Sequence, residues 1–408
     1  MTGQSCSCHA NLVHLHNGHT ARNRKPRRMK KTILLTLTLA LSLPAAAQSE
    51  RYGTEKDMPL FYQQLKKQLT YPWSWQNKRH TMTFDQWREE ARRQVAATMQ
   101  QAPPAPETYD YEVVAREKRD GYEAQKILFN INAWEKVMAY LLVPDTRKAP
   151  ALLMLHDHGA HFSIGKEKMV RPFEVDSILL ADADDWAQRC YDGIYVGDEL
   201  AKAGYVVLSI DALFWGDRGR KEGVRYDSQQ ALAANMLQMG ASWGAWITWD
   251  DMRAAQFLAH LPMVDKGRVG CLGFSMGSYR SWMLAAMSDD VKAAAAICWM
   301  NDTENLMTLT NNQNKGGSAY SMLIPGIRNL MDYPHVASLA CPKPMLFYNG
   351  DKDKLFPVPG VQNAYREMRE VWHEQGADNK LITRIWQEKH FFNRAMQEEV
   401  KLFFNKHL

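Results

Sequence analysis

The chain has 408 residues, of which 46% are hydrophobic and 23% charged, with a formal net charge of +5. Such a composition excludes a disordered or fibrous chain and allows one large globular domain or two ordinary ones. The surplus charge does not mark a nucleic-acid surface. Residues 1–47 hold seven basic side chains (Arg22, Arg24, Lys25, Arg27, Arg28, Lys30 and Lys31) and no acidic one, and the remainder carries 43 basic against 45 acidic residues, so no broad basic face is left for a phosphate backbone.

In chain order, Met29-Lys30-Lys31, the apolar run Thr32 to Leu43 and the small-residue site Ala45-Ala46-Ala47 form the positive, apolar and cleavage regions of a secretory signal. Cleavage is expected before Gln48, with the mature protein periplasmic or secreted. The apolar run is shorter than the roughly 20 residues a membrane-spanning helix needs. Residues 1–28 contain Cys6, Cys8, His9, His14, His16 and His19. These are metal-ligand types, but Met29 is the expected start, and residues 1–28 read as untranslated or as a leader extension. Of the cysteines, Cys190, Cys271, Cys298 and Cys341 follow the leader. Export permits disulfides and four cysteines permit three pairings; Cys271 and Cys298 lie in apolar runs and read equally as buried free thiols.

Residues 48–108 read as a helical extension. Its clearest helix is Phe84 to Met99 with Thr83 as N-cap, and Pro103, Pro104 and Pro106 close the region. Residues 109–408 read as the catalytic domain. Strand-like runs follow at Tyr111 to Arg116, Gln125 to Ile131, Lys136 to Val143, Ala151 to Leu155 and Tyr205 to Ile210. Strands and helices then alternate: helix Ile247 to His260, strand Val269 to Leu272, helix Tyr279 to Met287, strand Ala293 to Cys298, strand Met345 to Tyr348, helix Val361 to Gln375, strand Leu381 to Trp386 and helix Asn393 to Phe404. Uninterrupted apolar strands alternating with helices predict an α/β fold, a mostly parallel doubly wound sheet covered on both faces. Two long segments, His161 to Tyr195 and Asn301 to His335, fit neither element and are expected to be binding loops or lids.

Gly273-Phe274-Ser275-Met276-Gly277 falls between a strand and a helix. A G-x-S-x-G turn there is sharp enough to need small neighbours and lifts the serine hydroxyl clear of the sheet. A serine hydroxyl is a weak nucleophile and needs a general base oriented by an acid. The acid candidates lie in the turn Gly350-Asp351-Lys352-Asp353, after an apolar strand. The base candidate is His390, after the last strand; His373 sits in a helical pattern and His335 precedes the acidic turn. His156-Asp157-His158 offers three metal-ligand types in succession, but successive residues at a strand end point in different directions, and no metal is expected there.

From Phe84 onward the chain resembles α/β-hydrolases of the dienelactone-hydrolase and acetyl-xylan-esterase type, and more closely exported bacterial carbohydrate esterases of that group. The matching pieces are His156-Asp157-His158-Gly159, Gly273-Phe274-Ser275-Met276-Gly277, Gly350-Asp351-Lys352-Asp353 with Phe356-Pro357, and Lys389-His390-Phe391. The resemblance implies Ser275 as nucleophile, His390 as base and Asp353, three residues after the turn glycine, as acid. Asp351 then shapes the turn through its carboxylate. It also implies an oxyanion hole from the amides of Met276 and Ala160. No metal or organic cofactor is implied, and activity is expected to survive chelation.

Export and the resemblance suggest a polysaccharide ester, either acetyl or uronate methyl. Trp243, Trp246 and Trp249 recur at helical spacing and read as core. Trp215 and Trp299 follow strand ends and are candidates for stacking on sugar. Arg218 is a candidate for a uronate carboxylate, against pairing with Asp217 or Glu222. Alternatives are a lipase, disfavoured because the first long segment carries Lys166, Lys168 and Arg171; a peptidase of the prolyl-oligopeptidase kind, which would need a propeller; and a non-catalytic polysaccharide-binding module, which predicts a missing triad member.

Overall fold

Nine strands build one sheet: β1 Glu112–Arg119, β2 Tyr122–Asn130, β3 Lys136–Pro144, β4 Ala149–Leu155, β5 Val206–Ile210, β6 Val264–Phe274, β7 Ala293–Ile297, β8 Met345–Gly350 and β9 Leu381–Trp386. The computed structural model describes residues 60–146, 148–308 and 320–408; the leader and signal segments lie outside them. Strand order is β1-β2-β3-β5-β4-β6-β7-β8-β9. β1 to β3 and the β3–β5 pair run antiparallel, and every pair from β5 to β9 is parallel. All nine runs read as strands in the sequence become strands.

The central strands are buried along their whole length: Val206–Ile210 and Ala293–Ile297 have no exposed position. Their side chains divide by the two-residue period of a strand. Leu153, Leu155, Val269, Cys271, Ala294 and Ala296 face one core, and Leu152, Met154, Leu272, Phe274, Ala295 and Ile297 face the other. A sheet buried on both faces is why these strands read as unbroken apolar runs.

The helices are α1 Leu60–Gln68, α2 Trp75–Lys78, α3 Phe84–Thr98, α4 Ser177–Cys190, α5 Val196–Lys202, α6 Gln229–Gln238, α7 Trp243–His260, α8 Met276–Met287, α9 Thr303–Leu306, α10 Tyr333–Ala337, α11 Val358–Glu374 and α12 Arg394–His407. α3, α7, α8 and α11 supply the first core; α4, α5 and α12 supply the second. Thr83 caps α3 in a reciprocal capping box with Gln86. Trp75 of α2 and Trp87 of α3 are buried and pack with each other and with Phe84 at centroid distances of 5.1–5.4 Å. The Trp75 indole donates to Glu374 of α11 at 2.6 Å, so the N-terminal helices are bonded to the outer layer of the sheet.

The first of the two segments expected to be irregular differs from that expectation. His161 to Tyr195 contains α4, fourteen residues capped by Asp176. Its first part, Ile164 to Val170, is buried. Lys166 is fully buried against Asp211, Glu167 and Asp217 at 2.7–2.8 Å, partners that lie up to fifty-one residues away. The described part of Asn301 to His335 is made of short turns, α9 and the start of α10.

Candidate active site

β6 runs into Ser275, and α8 begins at the next residue. Ser275 has φ +57° and ψ −121°, a conformation that costs a non-glycine residue roughly 1–3 kcal/mol and persists only where the surroundings impose it. The surroundings are the flanking glycines. A Cβ on Gly273 would sit 2.0 Å from the Gly277 carbonyl oxygen, and one on Gly277 would sit 1.7 Å from the Leu155 carbonyl oxygen. The Ser275 amide is held by the Ile297 carbonyl at 2.8 Å. From Val269 to Ala286, Ser275 alone is not buried. The turn therefore presents one hydroxyl from an otherwise closed core.

His390 meets that hydroxyl. Its Nε2 lies 2.9 Å from Ser275 Oγ, and its Nδ1–H donates to Asp353 Oδ2 at 2.6 Å. With Nδ1 carrying the proton, Nε2 is free to accept from the serine. The ring lies between Phe274 and Phe356, with centroids at 4.8 and 6.1 Å. The Asp353 side chain is fully buried, and its second oxygen accepts the Leu355 amide at 2.9 Å. Asp351 is exposed. The acidic turn is tied to the histidine loop by the amides of Asp351 and Lys352, which donate to Trp386 and Glu388 carbonyls at 2.8 and 3.0 Å. That turn's carboxylate-to-amide bond is made by Asp353 rather than by Asp351, which corrects the turn-forming role expected of Asp351. Of the competing histidines, His335 pairs with Glu367 and His373 with Asp378.

The oxyanion side departs from expectation. Among the described residues, the Met276 amide at the start of α8 has no partner. The Ala160 amide is not free: it donates to His158 Nδ1 at 2.8 Å. The reason is local, since Gly159 and Ala160 both take left-handed backbones, φ +59° and +52°, and turn that N–H back onto the ring. Ala160 is therefore withdrawn as an oxyanion donor in this state.

The segment around it is cross-linked in every direction. His156 Nε2 accepts the Ala212 amide at 2.9 Å. Asp157 receives the Tyr191 hydroxyl at 2.6 Å and the Trp186 indole at 3.1 Å. His158 Nε2–H donates to Gln229 at 2.8 Å. Lys168, wholly buried, donates to the Asp157 and His158 carbonyls at 3.0 and 3.1 Å. Nothing in the sequence distinguished this lysine from a solvated one.

Burial pushes His158 down to about 4, which agrees with a neutral ring accepting at Nδ1. A histidine held neutral contributes stability that is complete above its unfolded value of about 6.5 and is lost as pH falls toward the folded value, amounting to roughly 2 kcal/mol at pH 5. Asp211 and Asp250, raised to about 6 by burial, act in the opposite sense over part of the same window, so the comparison is made between variants. In urea unfolding, the stability gap between wild type and His158→Gln is expected to narrow by about that amount from pH 7 to pH 5.

The three candidate substrate residues are all placed elsewhere. Arg218 is buried; it forms a two-bond fork with Glu135 at 2.7 and 2.9 Å, and pairs with Asp250 at 2.8 Å. Its partners are not the expected Asp217 or Glu222. Trp215 is fully buried, stacks on Phe162 at 4.7 Å and donates its indole N–H to the His158 carbonyl. Trp299 is 2% exposed and packs among Tyr279, Tyr333 and Phe356 at 4.9–5.2 Å. Both tryptophans are walls behind the site rather than stacking platforms. Trp243 is core as expected, whereas Trp246 and Trp249 are half-buried. The four described cysteines are free thiols.

An α/β-hydrolase-family model, described as Abhydrolase family, matches residues 57–380. YtaP of Bacillus subtilis (strain 168), designated a hydrolase, is 27% identical over 299 residues, covering 73% of this chain and 92% of its own. A Bacteroides fragilis protein designated an acetyl xylan esterase superposes with a TM-score of 0.60 at 16% identity, covering 80% of this chain and 88% of its own. A glucuronoyl esterase from Solibacter usitatus superposes with a TM-score of 0.57 at 15% identity, covering 80% and 94%. These two likenesses concern the fold, in which strand order, elbow and the ends of β8 and β9 all agree with an α/β-hydrolase. With four fifths of its length matched by the family model and a sheet of this topology, the chain belongs to the Abhydrolase family.

Proposed function

We propose that this is an exported serine carboxylic-ester hydrolase acting on carbohydrate esters, with a sugar-bound acetyl group as its first substrate. The observation that carries the reading is the continuous chain Ser275 Oγ, His390 and Asp353, with 2.9 and 2.6 Å links. Ser275 Oγ attacks the acyl carbonyl while His390 Nε2 takes its proton. Asp353 holds the ring and stabilises the imidazolium. The Met276 amide receives the developing oxyanion, a donor of a kind worth roughly 3–4 kcal/mol in the transition state. His390 then protonates the departing sugar oxygen. In the second half it deprotonates the water that releases the acid from Ser275.

The choice of carbohydrate rests on the fold shared with an acetyl xylan esterase and a glucuronoyl esterase. The choice of acetyl over uronate methyl ester rests on Arg218. Its pairing with Glu135 and Asp250 occupies the residue the sequence offered for a uronate carboxylate. Export rests on the signal read at Met29 to Ala47. Among the described residues no helix is long and apolar enough to cross a membrane. The assay is incubation with acetylated xylan and with methyl-esterified pectin. Acetate release that disappears in Ser275→Ala supports the reading; methanol release instead moves it to uronate esters, and release of neither removes carbohydrate esters from it.

A further inference from the structure

Cys298 follows β7, and its thiol enters the same small space as the acid and base. Its backbone is left-handed, φ +61°, with the amide held by the Tyr348 carbonyl at 2.6 Å. The side chain is fully buried. Cys298 Sγ, a carboxylate oxygen of Asp353 and a ring nitrogen of His390 all lie within 4.8 Å of one another. Among the described residues, no other grouping of three His, Cys, Asp or Glu donors lies so close together. Acyl transfer uses the aspartate and the histidine. It has no use for the thiol.

On the reading of Asp353 and His390 as acid and base, we propose that Cys298, Asp353 and His390 form an inhibitory site for a thiophilic divalent cation of the Zn²⁺ class. One thiolate, one imidazole and one carboxylate are a zinc donor set. Tetrahedral bonds of the usual lengths, with Zn–S about 2.3 Å and Zn–N about 2.1 Å, place adjacent donors about 3.6 Å apart. The thiol therefore has to move inward by at most about 1.2 Å from the widest spacing of 4.8 Å, and Asp353 Oδ2 and His390 Nδ1, now 2.6 Å apart, have to open by about 1 Å, both within the reach of side-chain rotations. The fourth position falls to water or to the Phe391 carbonyl, which lies 3.9 Å from Sγ. The His390 ring, a quarter exposed, is the way in.

The chemistry is a proton exchange. The cation takes the Cys298 sulfur, and the thiol proton leaves to solvent. It takes the lone pair of His390 Nδ1, and the proton formerly on Nδ1 moves to Nε2. The net change is one cation bound and one proton released, with no redox step. An Nε2 that carries a proton cannot accept one from Ser275, so the bound metal stops acyl transfer without touching the nucleophile.

The test titrates the purified full chain with Cd²⁺, reading the ultraviolet thiolate-to-cadmium charge-transfer band, and with Zn²⁺, reading hydrolysis of 4-nitrophenyl acetate. Wild type and Ser275→Ala are expected to bind one equivalent of Cd²⁺ more than Cys298→Ala. Zn²⁺ is expected to inhibit wild type reversibly, with EDTA restoring activity, and to inhibit Cys298→Ala at least about tenfold more weakly. Cys298→Ser, which keeps the volume but supplies a harder ligand, serves if the alanine variant does not fold. Equal Zn²⁺ inhibition of wild type and the Cys298 variant, or equal Cd²⁺ binding by Ser275→Ala and the Cys298 variant, overturns the site. If the chain hydrolyses no ester, the cadmium arm still decides the metal site, and the functional reading fails separately.

Discussion

Asp353→Asn is expected to lower kcat by about four orders of magnitude, whereas Asp351→Asn leaves it within a few-fold. Asp353 is buried and holds His390 Nδ1–H at 2.6 Å. An asparagine there presents either an amide N–H, which forces the ring into the wrong tautomer, or an uncharged oxygen, which cannot stabilise the imidazolium. Asp351 is exposed and lies two residues before Asp353 in the same turn, with its backbone amide tied to the Trp386 carbonyl. The measurement is kcat on 4-nitrophenyl acetate for both variants, with circular dichroism confirming the fold. Equal losses, or the larger loss at Asp351, reassign the acid.

Gly277→Ala is expected to destabilise the fold by about 4 kcal/mol or more, or to prevent folding. The added Cβ would lie 1.7 Å from the Leu155 carbonyl oxygen and 3.0 Å from that of His156. Both are backbone atoms where β4 leaves the sheet, and neither can swing aside as a side chain does. Relief requires α8 to move off β4, which also displaces the Ser275 turn and the His156 to Ala160 segment. Gly267→Ala is the control, since its Cβ meets nothing nearer than Asp265 Oδ1 at 3.4 Å, and it is expected to stay within about 1 kcal/mol of wild type in urea unfolding. A Gly277→Ala protein of wild-type stability would show that strand and helix do not approach this closely.

The fold was legible because each central strand is buried on both faces and so writes itself as an unbroken apolar run; β5 and β7 are the plainest cases. The elbow was legible because its geometry demands glycine at Gly273 and Gly277. The residues of Asp353 and His390 were legible because strand ends bring them to one edge of the sheet. What sequence could not show is which way a loop side chain turns after a strand. Trp215, Arg218 and Trp299 each follow strand ends, yet Trp215 closes onto Phe162, Arg218 onto Glu135, and Trp299 onto Tyr333. Those partners are distant in the chain, and no local pattern announces them. The burial of Lys166 and Lys168 was not legible for the same reason, because Asp211, Asp217 and the Asp157 carbonyl that hold them come from other segments. The Ala160 amide depends on two consecutive left-handed residues, one of them an alanine, for which there is no sequence signal.

The central claim is that Ser275 is an activated nucleophile, and covalent labelling tests it most directly. Folded protein is incubated with a fluorophosphonate and the tryptic peptide Val269 to Arg280 is fragmented. The account predicts one adduct per chain, located on Ser275, absent from Ser275→Ala and strongly slowed in His390→Ala. An unlabelled folded protein, or an adduct on a different residue with Ser275 intact, would contradict it.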